Sequence, residues 1–307
     1  MIHLFEADFN LAIGIYFGRR AMQHQVRHQL IHDGQFGKPH GECQDAALSK
    51  VLYNMVAQFS QTPLGQFESD ATACFDREVM NFVLTCFRLT GAPMGPLRMW
   101  EQTLYNIVHR IKTAYGISLA SYSFSSDSPI HGPGQGSRGG PASCSTMTSV
   151  LIQAMDKLSH GSSFTDPSQQ VHSHQTVKMF IDDASNTTND FLRWLHEPPT
   201  AQQVTTMLQQ DAQTWERLLW SSGGLLNLMK CLYYVSIWDF DVEGRAYLLP
   251  AATLPNLHLT SGTSEISAPI AHYNSDETHK YLGNFMSPSL QMRTAYQELT
   301  TISNNFA

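Results

Sequence analysis

The stretch Val177-Lys178-Met179-Phe180-Ile181-Asp182-Asp183-Ala184-Ser185 decides how this chain is read. A strand-like apolar run ends in two adjacent aspartates. Like charges held side by side repel, and a bound divalent cation is the usual relief. Taken alone, Asp-Asp after a strand is more often a polar turn, because aspartate favours turns. A third carboxylate shifts that balance: Asp70 closes another apolar run, Leu64 to Ser69. Carboxylates gathered from distant segments are how proteins build Mg²⁺ sites, since this ion takes a few carboxylate oxygens along with water and substrate phosphates.

The chain has 307 residues, enough for one large domain or two smaller ones. Its hydrophobic content of 42% and charged content of 15% describe a soluble globular protein. A net charge of -7 excludes a broadly basic nucleic-acid coat, so a polymer-phosphate partner needs a local cationic track, backbone amides and metal. The five cysteines, Cys43, Cys74, Cys86, Cys144 and Cys231, are scattered and form no C-x-x-C pair, which fits reduced thiols better than a disulfide framework or a structural zinc site. No run is long and apolar enough to span a bilayer, so no membrane partner is expected. The start, Met1-Ile2-His3-Leu4-Phe5-Glu6, lacks a secretory layout, which places the protein inside the cell, in cytoplasm or nucleus.

Periodicity predicts a helix from Asp8 to Leu30, a Gly/Pro loop around Gln35 to Gly41, a helix from Cys43 to Phe59 and a strand ending at Asp70. One amphipathic helix is expected from Asp76 to Leu89, with Asp76 as its N-cap. Further helices follow over Leu97 to Tyr105, Ala142 to Leu158 and Thr200 to Trp220. Hairpins are expected over Ile107 to Phe124 and over Asp239 to Leu249, and a strand-rich segment over Leu225 to Trp238. His160 to Gln175 reads as a polar surface excursion. His172 and His174 alternate there without a third ligand at zinc spacing. Met94, Met99, Met147 and Met155 read as core filler.

Glycines around Gln135, in Gly132-Pro133-Gly134-Gln135-Gly136, let backbone amides approach a partner closely, although the P-loop ending and the dinucleotide spacing are both missing. Lys230 follows the Gly223-Gly224 break, where most lysines are solvated. Taken in order, these pieces resemble a reverse transcriptase palm and fingers of the non-LTR retrotransposon and group II intron type. Asp70-Ala71-Thr72-Ala73-Cys74-Phe75-Asp76-Arg77 resembles the first-aspartate motif. Gly132 to Gly136, with Gly140-Pro141, resembles the G-x-P-Q-G loop. Phe180-Ile181-Asp182-Asp183 matches the aromatic-x-Asp-Asp box. Ser222 to Cys231 resembles the glycine-to-lysine motif, and Tyr281-Leu282-Gly283 the last palm motif. Gln35 to Gly41, then Gln44-Asp45-Ala46, resembles the fingers motif, with Lys38, Pro39 and Glu42 where the family places arginines.

The resemblance implies an α+β fold: a right-hand polymerase palm, with an antiparallel sheet and helices on one face, plus a partial helical fingers region. It divides the chain into partial fingers at residues 1–63 and palm at 64–283, with part of the fingers between 90 and 130. Residues 284–307 become the start of a thumb or a disordered tail, and the chain is expected to be a fragment or a decayed element copy. It implies RNA-directed DNA polymerase activity on an RNA template, a DNA primer and dNTPs. Asp70, Asp182 and Asp183 would be the catalytic ligands of two Mg²⁺ ions, with Mn²⁺ as a substitute. Ala71, Phe75, Gln135, Gly136 and Lys230 would contact substrate, Phe75 as a steric gate against ribose. The alternative is a catalytically silent remnant that binds RNA or protein.

Overall fold

The computed structural model describes residues 7–123, 132–166, 168, 170–189, 199–249, 254–282, 284–290, 296–297, 300–301 and 303–304. The chain folds into two compact units that interleave along the sequence. The first takes residues 1–32, 73–150 and 221–224, and the second takes 33–72, 151–220 and 225–307.

The second unit is built on a five-stranded sheet in the spatial order Ala271–His272, Leu232–Ser236, Leu64–Asp70, Asp183–Thr188, Val177–Phe180. Every pairing is antiparallel except the short edge pairing of Ala271–His272 with Leu232–Ser236. Leu64–Asp70 is the central strand, and alternation along it sends Gly65, Phe67 and Ser69 to one face and Leu64, Gln66, Glu68 and Asp70 to the other. The first face packs on the helix Ala201–Ser221. A Cβ on Gly65 would lie 3.1 Å from Val204 and 3.2 Å from Leu208, and Trp215 Nε1–H donates to Ser69 Oγ at 3.2 Å. That helix starts with a reciprocal cap: Gln203 N–H donates to Thr200 Oγ1, and Thr200 N–H donates to Gln203 Oε1.

The opposite face is also covered. The helix Cys43–Phe59 sets Ala57 against Leu64, and it delivers Lys50 to Glu68. The expectation of helices on one face is corrected here. Glu68 is a buried carboxylate in mid-strand, and it needs a cation brought in by a covering helix.

The first unit is mainly helical. Helix Ala7–Ile13 runs through the π-helical stretch Gly14–Ala21 into Met22–Arg27, matching the expected long helix except that it stops at Arg27, short of Leu30, where Gln29 turns left-handed. Phe17 packs between Phe87 and Trp100, at ring-centroid separations of 5.0 and 4.3 Å. Ile13, Val83, Leu97 and Met147 complete this core. The hairpin expected before Phe124 is present as Val108–Thr113 with Gly116–Ser123, while Phe124 itself lies outside the described residues.

Several expectations change. The single helix from Asp76 is two pieces, Cys74–Arg77 and Met80–Leu89, broken where Glu78 turns extended at ψ 129°. Asp76 is therefore no N-cap; its carboxylate accepts the Gln135 backbone N–H at 2.9 Å. The polar stretch His160 to Gln175 contains a hairpin, Ser162–Thr165 with His172–Gln175, and Ser162, Ser163 and Phe164 are buried. Its polarity misleads because side chains and backbone there are satisfied internally, as where Asn189 Oδ1 accepts Ser163 N–H. His172 and His174 are exposed and bond Thr165 and Ser163. Leu225 to Trp238 opens on a turn, because residues 225–231 return along Asp70; the strand Leu232–Ser236 follows, and Trp238 begins the next strand, Trp238–Phe240. Met147 and Met155 are core, whereas Met94 is surface-exposed at the start of the helix Met94–Asn106. Among the described residues no helix is long and apolar enough to cross a membrane.

Candidate active site: an acidic cleft at the sheet end

Asp70 ends the central strand and pairs directly, across the antiparallel ladder, with Asp183. Cα atoms at such positions lie roughly 4.5–5.5 Å apart with side chains on one face. Asp183 begins its strand, and Asp182 occupies the hairpin turn before it. Three carboxylates, two of them separated from the third by over a hundred residues, thus reach one end of one sheet.

The turn that carries Asp182 is constrained. Ile181 has φ 61°, a left-handed conformation that a β-branched residue adopts at a cost. The fully buried Gln35 holds it: Gln35 Oε1 accepts N–H groups from Gly37 at 2.7 Å and Ile181 at 3.4 Å. A Cβ on Gly37 would lie 2.8 Å from Ile181 N, so glycine permits the close approach.

Backbone pairing beyond Asp70 positions the lysine. Ala71 bridges Leu226, Thr72 N–H donates to Leu225 C=O at 2.7 Å, and Asn227 N–H donates to Asp70 C=O at 2.9 Å. The next turn, closed by Lys230 N–H to Asn227 C=O, puts Lys230 Nζ 3.4 Å from Asp70 Oδ2. Lys230 stays largely exposed, so it is anchored at the carboxylate and free along its stem.

Burial raises the Asp183 carboxyl, with Asp182, Asp70 and Glu68 adding repulsion and Lys230 opposing it, to about 6. Burial also raises Asp182, and the charge of Asp70 adds to it. Asp70, Asp183 and Lys230 line a cavity of about 430 Å³ with His279, Lys280 and Tyr281. Asp182 stands in the adjoining turn and does not line this cavity. Three donor atoms within 4.8 Å of one another occur, among the described residues, at Cys74, Glu78 and Cys144 instead. Carboxylate oxygens are the donor type that Mg²⁺ takes, and a dication would neutralise the charge that raises Asp182 and Asp183.

Because the folded Asp183 carboxyl lies above the ordinary unfolded value of about 3.9, its contribution to stability is full below that pH and is lost as pH rises through about 6. At neutral pH the charged group therefore costs stability, and screening at this partly buried position brings the cost to about 1 kcal/mol. In chelator-containing buffer at pH 7.5, Asp183→Asn should raise the urea midpoint correspondingly and flatten the pH dependence between about 4 and 6. An unchanged midpoint with an unchanged slope would exclude that coupling.

Of the residues singled out by sequence, Asp70, Ala71, Asp182, Asp183 and Lys230 belong to the second unit, and Phe75, Gln135 and Gly136 to the first. Within the first unit the Phe75 ring packs over the helix start, 3.4 Å from where a Gly140 Cβ would stand. Gln135 and Gly136 are exposed, with the Gln135 backbone tied to Asp76. Gly132 is required by closeness: its φ is 62°, and a Cβ there would strike the Phe75 carbonyl. Tyr281 is buried against Ala46 and Ala47, whereas Gly283 lies outside the described residues. Sequence reasoning placed Gln35 only in a loop and in the fingers resemblance, and missed Lys50, Glu68 and His279. A carboxylate at Glu68, two places before Asp70 in an alternating strand, was the available signal.

The second unit is thus an α+β body whose central sheet carries Asp70, Asp182 and Asp183 at one end. No family model and no curated protein matches the chain. Among solved structures it is similar to telomerase from Candida albicans, determined in complex with a TWJ fragment of telomeric RNA. There the identity is 11% and the TM-score 0.44, over 92% of this chain and 36% of that one. It is also similar to apo telomerase from Candida tropicalis truncated from its C-terminal domain, at 10% identity and TM-score 0.49, over 78% of this chain and 47% of that one. The chain spans between a third and a half of the length of these structures.

Proposed function

We propose that the chain is the catalytic module of an RNA-directed DNA polymerase of the retroelement type, with residues 1–63 as partial fingers and 64–283 as palm, part of the fingers lying between 90 and 130. The observation that carries this reading is the cross-strand pairing of Asp70 with Asp183, with Asp182 in the constrained turn beside them. Asp70, Asp182 and Asp183 would hold two Mg²⁺ ions. When bound, these ions favour ionisation of a primer 3′-hydroxyl and neutralise charge on the triphosphate. The hydroxyl would pass its proton to solvent, its oxygen would bond to the α-phosphorus of a dNTP as the α–β phosphoanhydride bond breaks, and pyrophosphate would leave. Lys230, able to leave Asp70 by rotating its exposed stem, would meet the triphosphate and give a proton to the departing pyrophosphate. The Phe75 ring would occupy the space a ribose 2′-hydroxyl needs, with Ala71 beside the nucleotide. Gln135 and Gly136 would contact the nucleotide and the RNA template, whose sequence is read by base pairing.

One observation favours the second reading, a silent remnant that binds RNA: Lys230 already supplies a positive charge to Asp70. Primer extension separates the two. With an RNA template, a DNA primer, dNTPs and Mg²⁺, the polymerase reading expects template-directed extension that chelator abolishes and Asp182→Asn removes. Salt-dependent binding of the primer–template without any extension would leave the remnant reading in place. Phe75→Val should incorporate rNTPs more readily, and unchanged sugar discrimination would remove Phe75 from the gate role.

A further inference from the structure

We propose that Cys74, Glu78 and Cys144 form a zinc-binding site in the first unit, built from residues that the polymerase reading does not use. Two thiols and one carboxylate offer donor atoms that all lie within 4.8 Å of one another, and all three side chains are buried. Cys74 Sγ and Cys144 Sγ are 3.6 Å apart. A tetrahedral zinc with Zn–S bonds of about 2.3 Å separates two sulfurs by about 3.8 Å, so the sulfurs already stand close to that edge length. A disulfide would need them at about 2.05 Å.

Glu78 is the independent observation. Its side chain is 1% exposed, and its Oε1 has no hydrogen-bond partner. Burying a carboxyl oxygen without a partner is costly, and a coordinated cation removes that cost. The other oxygen, Oε2, accepts the Ser143 hydroxyl at 2.7 Å, an outer contact that orients a ligating carboxylate.

The backbone brings the three together with little freedom. Ala73, in the left-handed region at φ 49°, turns the chain so that Cys74 opens a short helix, and Glu78 sits at the break that ends it. Glu78 C=O accepts Gly132 N–H at 2.6 Å, and Ser143 and Cys144 lie in the first turns of the helix Gly140–Leu158. The donor set selects the metal. Thiolates with one carboxylate suit zinc, whereas Mg²⁺ prefers oxygen alone. Three protein ligands leave the fourth tetrahedral position to a water. The ion would tie residues 74–78 to the helix seventy positions onward, coupling metal binding to folding of this unit.

Element analysis of the full chain, purified without chelator, should find about one zinc per chain, as one tetrahedral centre requires. The Cys74→Ser/Cys144→Ser double variant should fall to background, while Cys43→Ser, outside the cluster, should keep the metal. Cobalt added to chelator-stripped wild type should give a thiolate-to-metal charge-transfer band, reduced by about half in either single serine variant because one of two Co–S bonds is lost. Chelator should lower the thermal midpoint of the wild type and leave that of the folded double variant unmoved. Zinc retained in the double variant overturns the site, as does wild type lacking both zinc and the cobalt band. Recovery of Cys74 and Cys144 as a disulfide-linked peptide from metal-free chain overturns it too. If the double variant does not fold, the cobalt titration of the wild type decides alone.

Discussion

Asp70→Asn is expected to lower template-directed primer extension by about a thousandfold without lowering the stability of the fold. The magnitude follows from the several kcal/mol of charge stabilisation that a divalent metal supplies, at about 1.36 kcal/mol per factor of ten. The carboxamide keeps the size of the side chain and leaves the backbone pair with Asp183 in place. It removes a charge that raises both Asp182 and Asp183, so repulsion at the sheet end falls. The loss of the Lys230 contact sets against this a largely exposed ion pair, worth at most about 1 kcal/mol. Activity and stability should therefore part company: extension collapses while the urea midpoint holds or rises. Extension within tenfold of wild type would show that Asp70 holds no catalytic metal. A midpoint that falls along with activity would show that the assay reads unfolding.

The helices and the acidic strand ends were legible because each depends on local pattern. Cys43–Phe59 and Leu64–Asp70 coincide with the spans expected from periodicity. The pairing of Asp70 with Asp183 was reachable from two apolar runs that each end in aspartate. What the pattern could not carry was long-range satisfaction of buried polar groups. Lys50 lies in a helix whose apolar residues Leu48, Leu52, Val56 and Phe59 are exposed, so hydrophobic periodicity points to the wrong face. The helix turns that way because Lys50 answers Glu68, a contact across eighteen residues that no local period encodes. The break at Glu78 was hidden for a similar reason. Its neighbours are good helix formers, and the chain departs from the helix where the Glu78 carbonyl meets Gly132 and its side chain meets Ser143.

Lys50→Met should destabilise the chain by about 3–5 kcal/mol, the cost of leaving a buried charge without its partner. Lys50 Nζ lies 2.5 Å from Glu68 Oε1 and 3.2 Å from His279 Nε2, and its ammonium sits 4.6 Å from the centre of the Tyr281 ring. Burial pushes His279 down, with Lys50 adding to the effect, to about 4, so the imidazole is neutral and accepts from Lys50 through Nε2. Nδ1 then carries the proton and donates to Tyr234 Oη at 2.6 Å. Burial opposes the charge on Glu68, yet Lys50, His279 and the Ser185 hydroxyl together hold its carboxyl below the ordinary range. With methionine at 50, Glu68 keeps Ser185 as its one close donor, and Oε2 gains nothing. Two controls separate charge from packing. Lys50→Met/Glu68→Met removes both charges and should recover stability to within about 1 kcal/mol of wild type, because an apolar pair of similar volume replaces a buried ion pair at little net cost. Lowering the pH should shrink the defect of the single variant, since protonating Glu68 removes the orphaned charge. Urea unfolding of all four chains yields the coupling energy directly, and strictly additive effects would show that the two side chains contribute as separate packing units. The double variant also asks something of the cleft. Glu68 is among the charges that raise Asp183, so its removal should move the Asp183 titration back towards the ordinary carboxylate range even where stability is restored.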